Sequence, residues 1–311
     1  MLQQGFERLV LLLFFLLPKI AIFSIHCRKE FMKKCQSCET ELPFEAKFCF
    51  NCGAPQAEPT WSEPLLFEPG TDLTQRIIDQ FFPALRLRIK EEMTGSDYAQ
   101  YAERVYESGF RDLLHRRAGT IADKIEQSHE EGLIDQQAID YWIEKFNSEL
   151  LDYFLIRHCK DLNPIELPEA ILRYQDATWP SVHLFEMVLD YLDFAQEKEV
   201  VYTDFLVMPM EKLKNASKSF LFPAPKEKIL LICDQSLFGS CKEGFAITER
   251  ALYWKAHLEK PQQLNFENIM QVEKSKEWIT LNGFFFNVNP RLNLKMMKLI
   301  KKIKQLQQSP L

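Results

Sequence analysis

Cys35-Gln36-Ser37-Cys38 and, a short stretch later, Cys49-Phe50-Asn51-Cys52-Gly53 set two Cys-x-x-Cys pairs at close range. Four thiolates at this spacing can be collected tetrahedrally by a single Zn²⁺. In each pair the second Cys falls in a tight turn whose backbone N–H groups can point at sulfur. Gly53, directly after Cys52, is free to take positive φ there. The intervening Glu41-Leu42-Pro43-Phe44-Glu45-Ala46-Lys47-Phe48 has the length of a short hairpin that returns the chain to the metal. Four unrelated thiols, or two disulfides, account less well for spacing, glycine and hairpin together. The expectation is one structural zinc on Cys35, Cys38, Cys49 and Cys52, with no open coordination position for a substrate or water.

Lys34-Cys35 through Gly53-Ala54-Pro55 resembles the small bacterial zinc ribbons that read, in outline, C-x-x-C-G-x-x-L/I-x-x-x-A-x-F-C-x-x-C-G. Leu42, Ala46, Phe48 and Gly53 match that outline. Glu39 stands where a glycine is usual, which puts strain in the first knuckle and removes no ligand. The resemblance implies a fold and a metal; such ribbons head proteins of many kinds, so it implies no activity.

A chain of 311 residues with 46% hydrophobic content has enough for two folded domains besides the ribbon. Charge is uneven: −1 over residues 1–71, −12 over 72–199 and +7 over 200–311, making the net −6. The break near residue 200 reads as a domain boundary. The expected layout is a multidomain α+β chain. It runs from an apolar segment at 1–31 through a zinc ribbon at 32–55 and a proline-rich linker at 56–71. An acidic all-α helical domain follows at 72–199, then a connector at 200–224 and a strand-rich domain at 225–311.

Residues 9–25 are the most apolar run. A signal peptide needs a small-residue cleavage site, which Ser24-Ile25-His26-Cys27 does not offer. A membrane helix needs about 20 apolar residues, and Pro18-Lys19 interrupts this run. The third reading starts synthesis at Met32, which places Met-Lys-Lys-Cys at the head of the ribbon. We take the third, with an inner-membrane anchor as the alternative. In the anchored case Arg28, Lys29, Lys33 and Lys34 follow the helix and only Arg8 precedes it, so the remainder faces the cytosol. Both readings expect a cytoplasmic, reducing setting, where thiolates hold metal and do not pair.

From Asp72 to about Gln196 the spacing is helical. Leu73, Ile77, Ile78 and Phe81 stripe one face up to a break or kink at Pro83. Ser96 is expected to cap a long run through Gly109 to Gly132, and Ser181 a later helix. Ile139, Trp142, Ile143, Phe146, Leu150 and Phe154 stripe another. Asp112-x-x-His115 and Glu126-x-x-His129 place an acid and an imidazole on one helix face, as di-iron bundles do. The further glutamates such a site needs are missing, so solvated faces explain both pairs better. His158 and Cys159 are neighbours and point apart on a helix, which argues against a Cys–His nucleophile. No Gly-x-Ser-x-Gly, phosphate loop or dinucleotide fingerprint occurs.

After Pro223-Ala224-Pro225 the pattern turns to strands, among them 228–233, 244–248, 251–255 and 278–281. Asn282-Gly283 is a two-residue hairpin turn. Asn289 caps a final helix with Pro290 in its first turn. Leu292, Met296, Leu299, Ile303 and Leu306 stripe that helix, and Arg291, Lys295, Lys298, Lys301, Lys302 and Lys304 add positive charge. Asp234 to Thr248, then Leu252-Tyr253-Trp254-Lys255 and Phe266-Glu267-Asn268-Ile269, resemble the bacterial pleckstrin-homology-like domains. The resemblance implies a β-barrel or sandwich closed by the terminal helix, acting as a binding module and not a catalyst. Closure by the apolar stripe implies solvated lysines, and the competing role is a basic helix on an anionic membrane or on the chain's own acidic bundle.

These readings converge on a non-enzymatic zinc-binding interaction or scaffold protein with a protein partner, a membrane surface being a further candidate. Nucleic-acid binding through the ribbon is one alternative, opposed by Glu39, Glu41 and Glu45. An enzyme with its site in the helical domain is the other.

Overall fold

The computed structural model describes residues 32–35, 37–43, 51–52, 54, 72–275 and 277–308. The apolar run 9–25, Cys49, Gly53 and the linker 56–71 lie outside the described residues. The chain divides into two compact units, residues 1–63 and 64–311. In the first, β1 (Met32–Lys34) pairs antiparallel with β2 (Glu41–Pro43), and Leu42 is buried beside Cys35.

In the second unit, aspartates set the starts of three long helices. Asp72 caps α1 (Leu73–Glu92), accepting the Gln75 N–H at 3.0 Å. This helix runs through Pro83 without the break that is one of the two expected outcomes. Phe81, Phe82 and Leu85 are buried on both sides of the proline, so packing offsets the lost backbone hydrogen bond. Asp97, not Ser96, caps α2 (Tyr98–Glu107). Gly109 at φ +71 then divides the expected long run, and α3 (Phe110–Glu130) begins anew. Asp135 caps α4 (Gln136–His158). Ser181 ends a 3₁₀ turn, and α5 (Leu184–Leu192) starts after His183. Phe81, Phe110 and Phe154 meet in the bundle core with ring centroids 4.6–6.3 Å apart.

The segment expected as a connector contributes β3 (Val200–Tyr202) and α6 (Met210–Ser219). β3 joins β4 (Ile229–Asp234), β5 (Gly244–Thr248), β6 (Ala251–Lys255) and β7 (Gln262–Asn265) in one antiparallel sheet ordered as in the chain. β8 (Val272–Ser275), β9 (Trp278–Leu281) and β10 (Phe284–Phe286) make a second. Asn282 and Gly283, at φ +49 and +82, form the expected tight turn, with Leu281 opposite Phe284. The two sheets do not close into a barrel. After β7 a 3₁₀ turn (Phe266–Asn268) carries Phe266 and Ile269 into the core, and this interrupts the ladder before β8.

Asn289 caps α7 (Pro290–Gln307) by accepting the Leu292 N–H at 2.8 Å. The apolar side chains of α7 join one hydrophobic cluster with Leu231, Phe245, Ile247, Leu252 and Trp254 of the five-stranded sheet. Ile156, Met187, Val188 and Leu192 of the helical region belong to the same cluster, so one core runs across the charge break at residue 200. On the sheet's other face, Ile232, Ala246 and Tyr253 pack against Ala216 and the adjoining Phe220 of the α6 region. The lysines of α7 depart from the expectation of solvation: Lys295, Lys298 and Lys302 are buried. The helix packs its apolar side chains into the core shared with the five-stranded sheet and sets these three lysines against acids of residues 72–199.

Candidate metal centre and buried charge network

The first knuckle is built by local hydrogen bonds. The Glu39 N–H donates to the Cys35 carbonyl and the Cys35 N–H to the Thr40 carbonyl, both at 2.9 Å. Glu39 takes φ +57, the left-handed conformation that the ribbon outline reserves for glycine, so the strain anticipated from its side chain is present. The Ser37 N–H points at Cys35 Sγ from 3.4 Å, and the Asn51 amide reaches Cys38 Sγ at 3.8 Å.

These turns bring three thiols together. The Sγ atoms of Cys35, Cys38 and Cys52 all lie within 4.8 Å of one another, with Cys35 and Cys52 at 3.7 Å. Tetrahedral zinc with bonds of about 2.3 Å places its sulfurs about 3.8 Å apart. A disulfide needs about 2.05 Å. The donor set therefore fits a metal ion and not a disulfide, and Cys35, Cys38 and Cys52 could hold one. Burial pushes the Cys35 thiol up, but the backbone N–H groups of Ser37 and Cys38 outweigh it and hold the thiol below its ordinary value. Cys159 and Cys241 behave in the opposite way. Burial among apolar side chains pushes both thiols up to about 12, and Cys233 is raised for the same reason.

A second cluster of chemistry-bearing groups sits between α7 and the acidic helices. Lys298 Nζ lies 2.8 Å from Glu92 Oε2 and 2.5 Å from Asp152 Oδ1. Arg88 approaches the same two carboxylates, at 3.4 Å from Glu92 and 2.7 Å from Asp152. The Glu92 contacts are ionic, without hydrogen-bond alignment. Lys302 pairs with Glu149 at 2.8 Å and Lys295 with Glu197 at 3.1 Å. Burial raises the Asp152 carboxyl, but Lys298 and Arg88 more than offset it and hold the group below its usual range. A polar cavity of about 50 Å³ adjoins Arg88, Asp152, Tyr191 and Lys298. Ligand pockets run to several hundred Å³, so this one has room for water alone.

The sequence named the chain's own acidic bundle as an alternative seat for this helix but not these pairs, because each residue reads as an ordinary solvated charge. The signal that could have found it was the contrast between −12 in the helical region and +7 after it. The acid–imidazole pairs Asp112–His115 and Glu126–His129 lie along α3, and among the described residues no metal-competent cluster forms around them. His158 packs its ring against Phe110, Tyr153 and Phe154, and Cys159 is buried at the end of α4. Cys159 belongs to the core, and His158 lies half-buried against it. No described helix is long and apolar enough to cross a membrane. In comparison with known proteins, the chain matches no family model, no curated protein and no solved structure.

Proposed function

We propose that the chain is a zinc-binding interaction protein and not an enzyme. A four-cysteine ribbon, with Cys49 as fourth ligand, heads a helical body that ends in a pleckstrin-homology-like binding module, and the whole works in the cytoplasm with a protein partner. The observation that carries this reading is the 3.7 Å separation of Cys35 and Cys52 sulfurs, with Cys38 in the same cluster. A site closed by four thiolates stabilises a fold and leaves no position for catalysis. The buried ionic groups of the second unit fit an interaction role, because Arg88, Glu92, Asp152 and Lys298 are engaged with one another.

Metal analysis of the purified chain is expected to give one zinc, lost in the Cys49→Ser/Cys52→Ser double variant. Full zinc in that variant overturns the site. In capture from native lysate, a specific protein should be retained by the parent chain and lost by the variant. Equal recovery by both would remove the ribbon as the interacting element.

A further inference from the structure

The turn that follows β4 holds two large apolar side chains out in water. Ser236-Leu237-Phe238-Gly239 closes through the Gly239 N–H donating to the Ser236 carbonyl at 2.9 Å. Leu237 is 85% exposed and Phe238 91%. Central turn positions ordinarily carry Gly, Pro, Asn, Asp or Ser, residues that cost nothing in water. Here the display is also held rigid. The buried Asp234 carboxylate accepts the Ser236 N–H at 3.0 Å, the Cys241 N–H at 3.2 Å and the Ser236 hydroxyl. Asn215 of α6 donates to the Ser240 carbonyl at 2.9 Å.

A second turn stands beside the first. Asp204 accepts the Leu206 N–H at 2.9 Å and presents Leu206, 96% exposed, with Val207 and Met210 also exposed. Phe205 and Met208 from this turn and Cys241 from the other root both in one hydrophobic cluster. Lys212 of α6 lies 3.8 Å from Asp234, which ties the start of that helix to the first turn. Single exposed hydrophobics need no explanation, but five on two anchored, neighbouring turns form a feature. Met210, Lys214 and Lys218 follow one another up the same face of α6, and both lysines are exposed. Lys242 is exposed too, its carbonyl held by the Ser219 hydroxyl at 2.6 Å.

We propose that these turns form a membrane-docking edge. Leu206, Val207, Met210, Leu237 and Phe238 enter the interfacial layer of an anionic bilayer, and Lys214, Lys218 and Lys242 meet its headgroups. The protruding tips suit a fluid surface, whereas a protein partner would need a matching pocket. Charge at the edge itself favours the same occupant: Asp234 is paired with Lys212, and the exposed Lys214, Lys218 and Lys242 outnumber the exposed Asp204 and Glu211. This inference does not depend on the zinc site or on the protein partner proposed above.

The test uses the full chain with phosphatidylcholine vesicles, with and without phosphatidylglycerol. A Phe238→Trp variant is expected to gain a fluorescence component that brominated lipid quenches on anionic vesicles. Leu237→Ser/Phe238→Ser should weaken vesicle partitioning by about tenfold or more, following the apolar area lost. Lys214→Gln and Lys218→Gln should weaken it by up to about fivefold each at low salt, and less at high salt. Thermal melts of these surface variants should match the parent. No binding to anionic vesicles overturns the proposal, as does unchanged binding by the Ser double variant. Binding with the introduced indole unquenched overturns it and places the contact elsewhere in the chain. A parent dimer that the Ser double variant dissociates would show a second copy covering the edge, which also overturns it.

Discussion

Residues 32–54 and residues 72–308 use charged and sulfur-bearing side chains in opposite ways. In the first, Cys35 and Leu42 are the buried hydrophobic residues among those described, and three thiols gather where a metal could sit. In the second, a core extends from Ile156 to Leu306 in one cluster, and its cysteines are inert filler with raised pKa values. The comparison teaches that burial alone does not make a thiol reactive. Backbone N–H groups aimed at sulfur distinguish Cys35 from Cys159. It also shows two ways of burying charge: around an ion supplied from outside, or against opposite charges on the same chain.

The sharpest way to break the comparison is to remove the metal. Chelation at neutral pH is expected to abolish the ordered ribbon, since structural zinc contributes about 10–16 kcal/mol of apparent binding energy in small fingers. The main thermal transition, carried by residues 72–308, should stay in place. Calorimetry that showed both units melting earlier after chelation would tie them into one cooperative body. Thiol alkylation sharpens the contrast further: Cys35, Cys38 and Cys52 should become reactive after chelation, while Cys159, Cys233 and Cys241 react only on global unfolding.

The next effect belongs to the charge network. Lys298→Met leaves the buried Glu92 and Asp152 carboxylates to share Arg88 alone, so a loss of up to about 3–5 kcal/mol is expected. Lys218→Gln, on an exposed face, should stay within about 0.5 kcal/mol. Adding Glu92→Gln to Lys298→Met should recover part of the loss, because Arg88 then faces a single carboxylate, Asp152. Denaturant melts that put Lys298→Met beside Lys218→Gln would return the terminal-helix lysines to the solvated role read from the sequence.

Acid supplies the smallest and most gradual effect. Asp152 and Asp161 both have depressed pKa values in the folded chain, Asp152 through Lys298 and Arg88, and Asp161 at about 2 through hydrogen bonds from Arg104. A depressed carboxylate contributes its stability above the unfolded-chain value, about 3.9 for Asp. That contribution is lost as pH falls through the folded value. Burial also lowers the His115 and His158 pKa values in the folded chain, so the second unit should lose some stability below about pH 6.5 and more below about pH 4. High salt should soften the exposed Arg104–Asp161 part more than the buried part. A decline already complete near pH 5 would assign acid sensitivity to groups other than these two aspartates.

Much of this architecture was legible from local pattern. Cysteine spacing, the Asn282-Gly283 turn, the Asn289 cap and the stripe through Leu299 and Ile303 each depend on a few neighbouring residues whose chemistry permits few conformations. Such signals survive folding because nothing distant competes with them. Helix starts were less secure: Ser96 and Ser181 lost their expected capping roles to Asp97 and His183, residues that could also accept the first free N–H groups. What tertiary structure alone decided is who faces whom. Val201 beside Cys233 turned a supposed connector into a sheet edge, and Phe266 entering the core kept the sheets from closing. Lys298 reads as a solvated lysine until Glu92 and Asp152, far away in the chain, are brought against it. A lysine's ordinary preference for water is a local property, and it yields where a long-range fold places two carboxylates at its tip and excludes the solvent they would otherwise share.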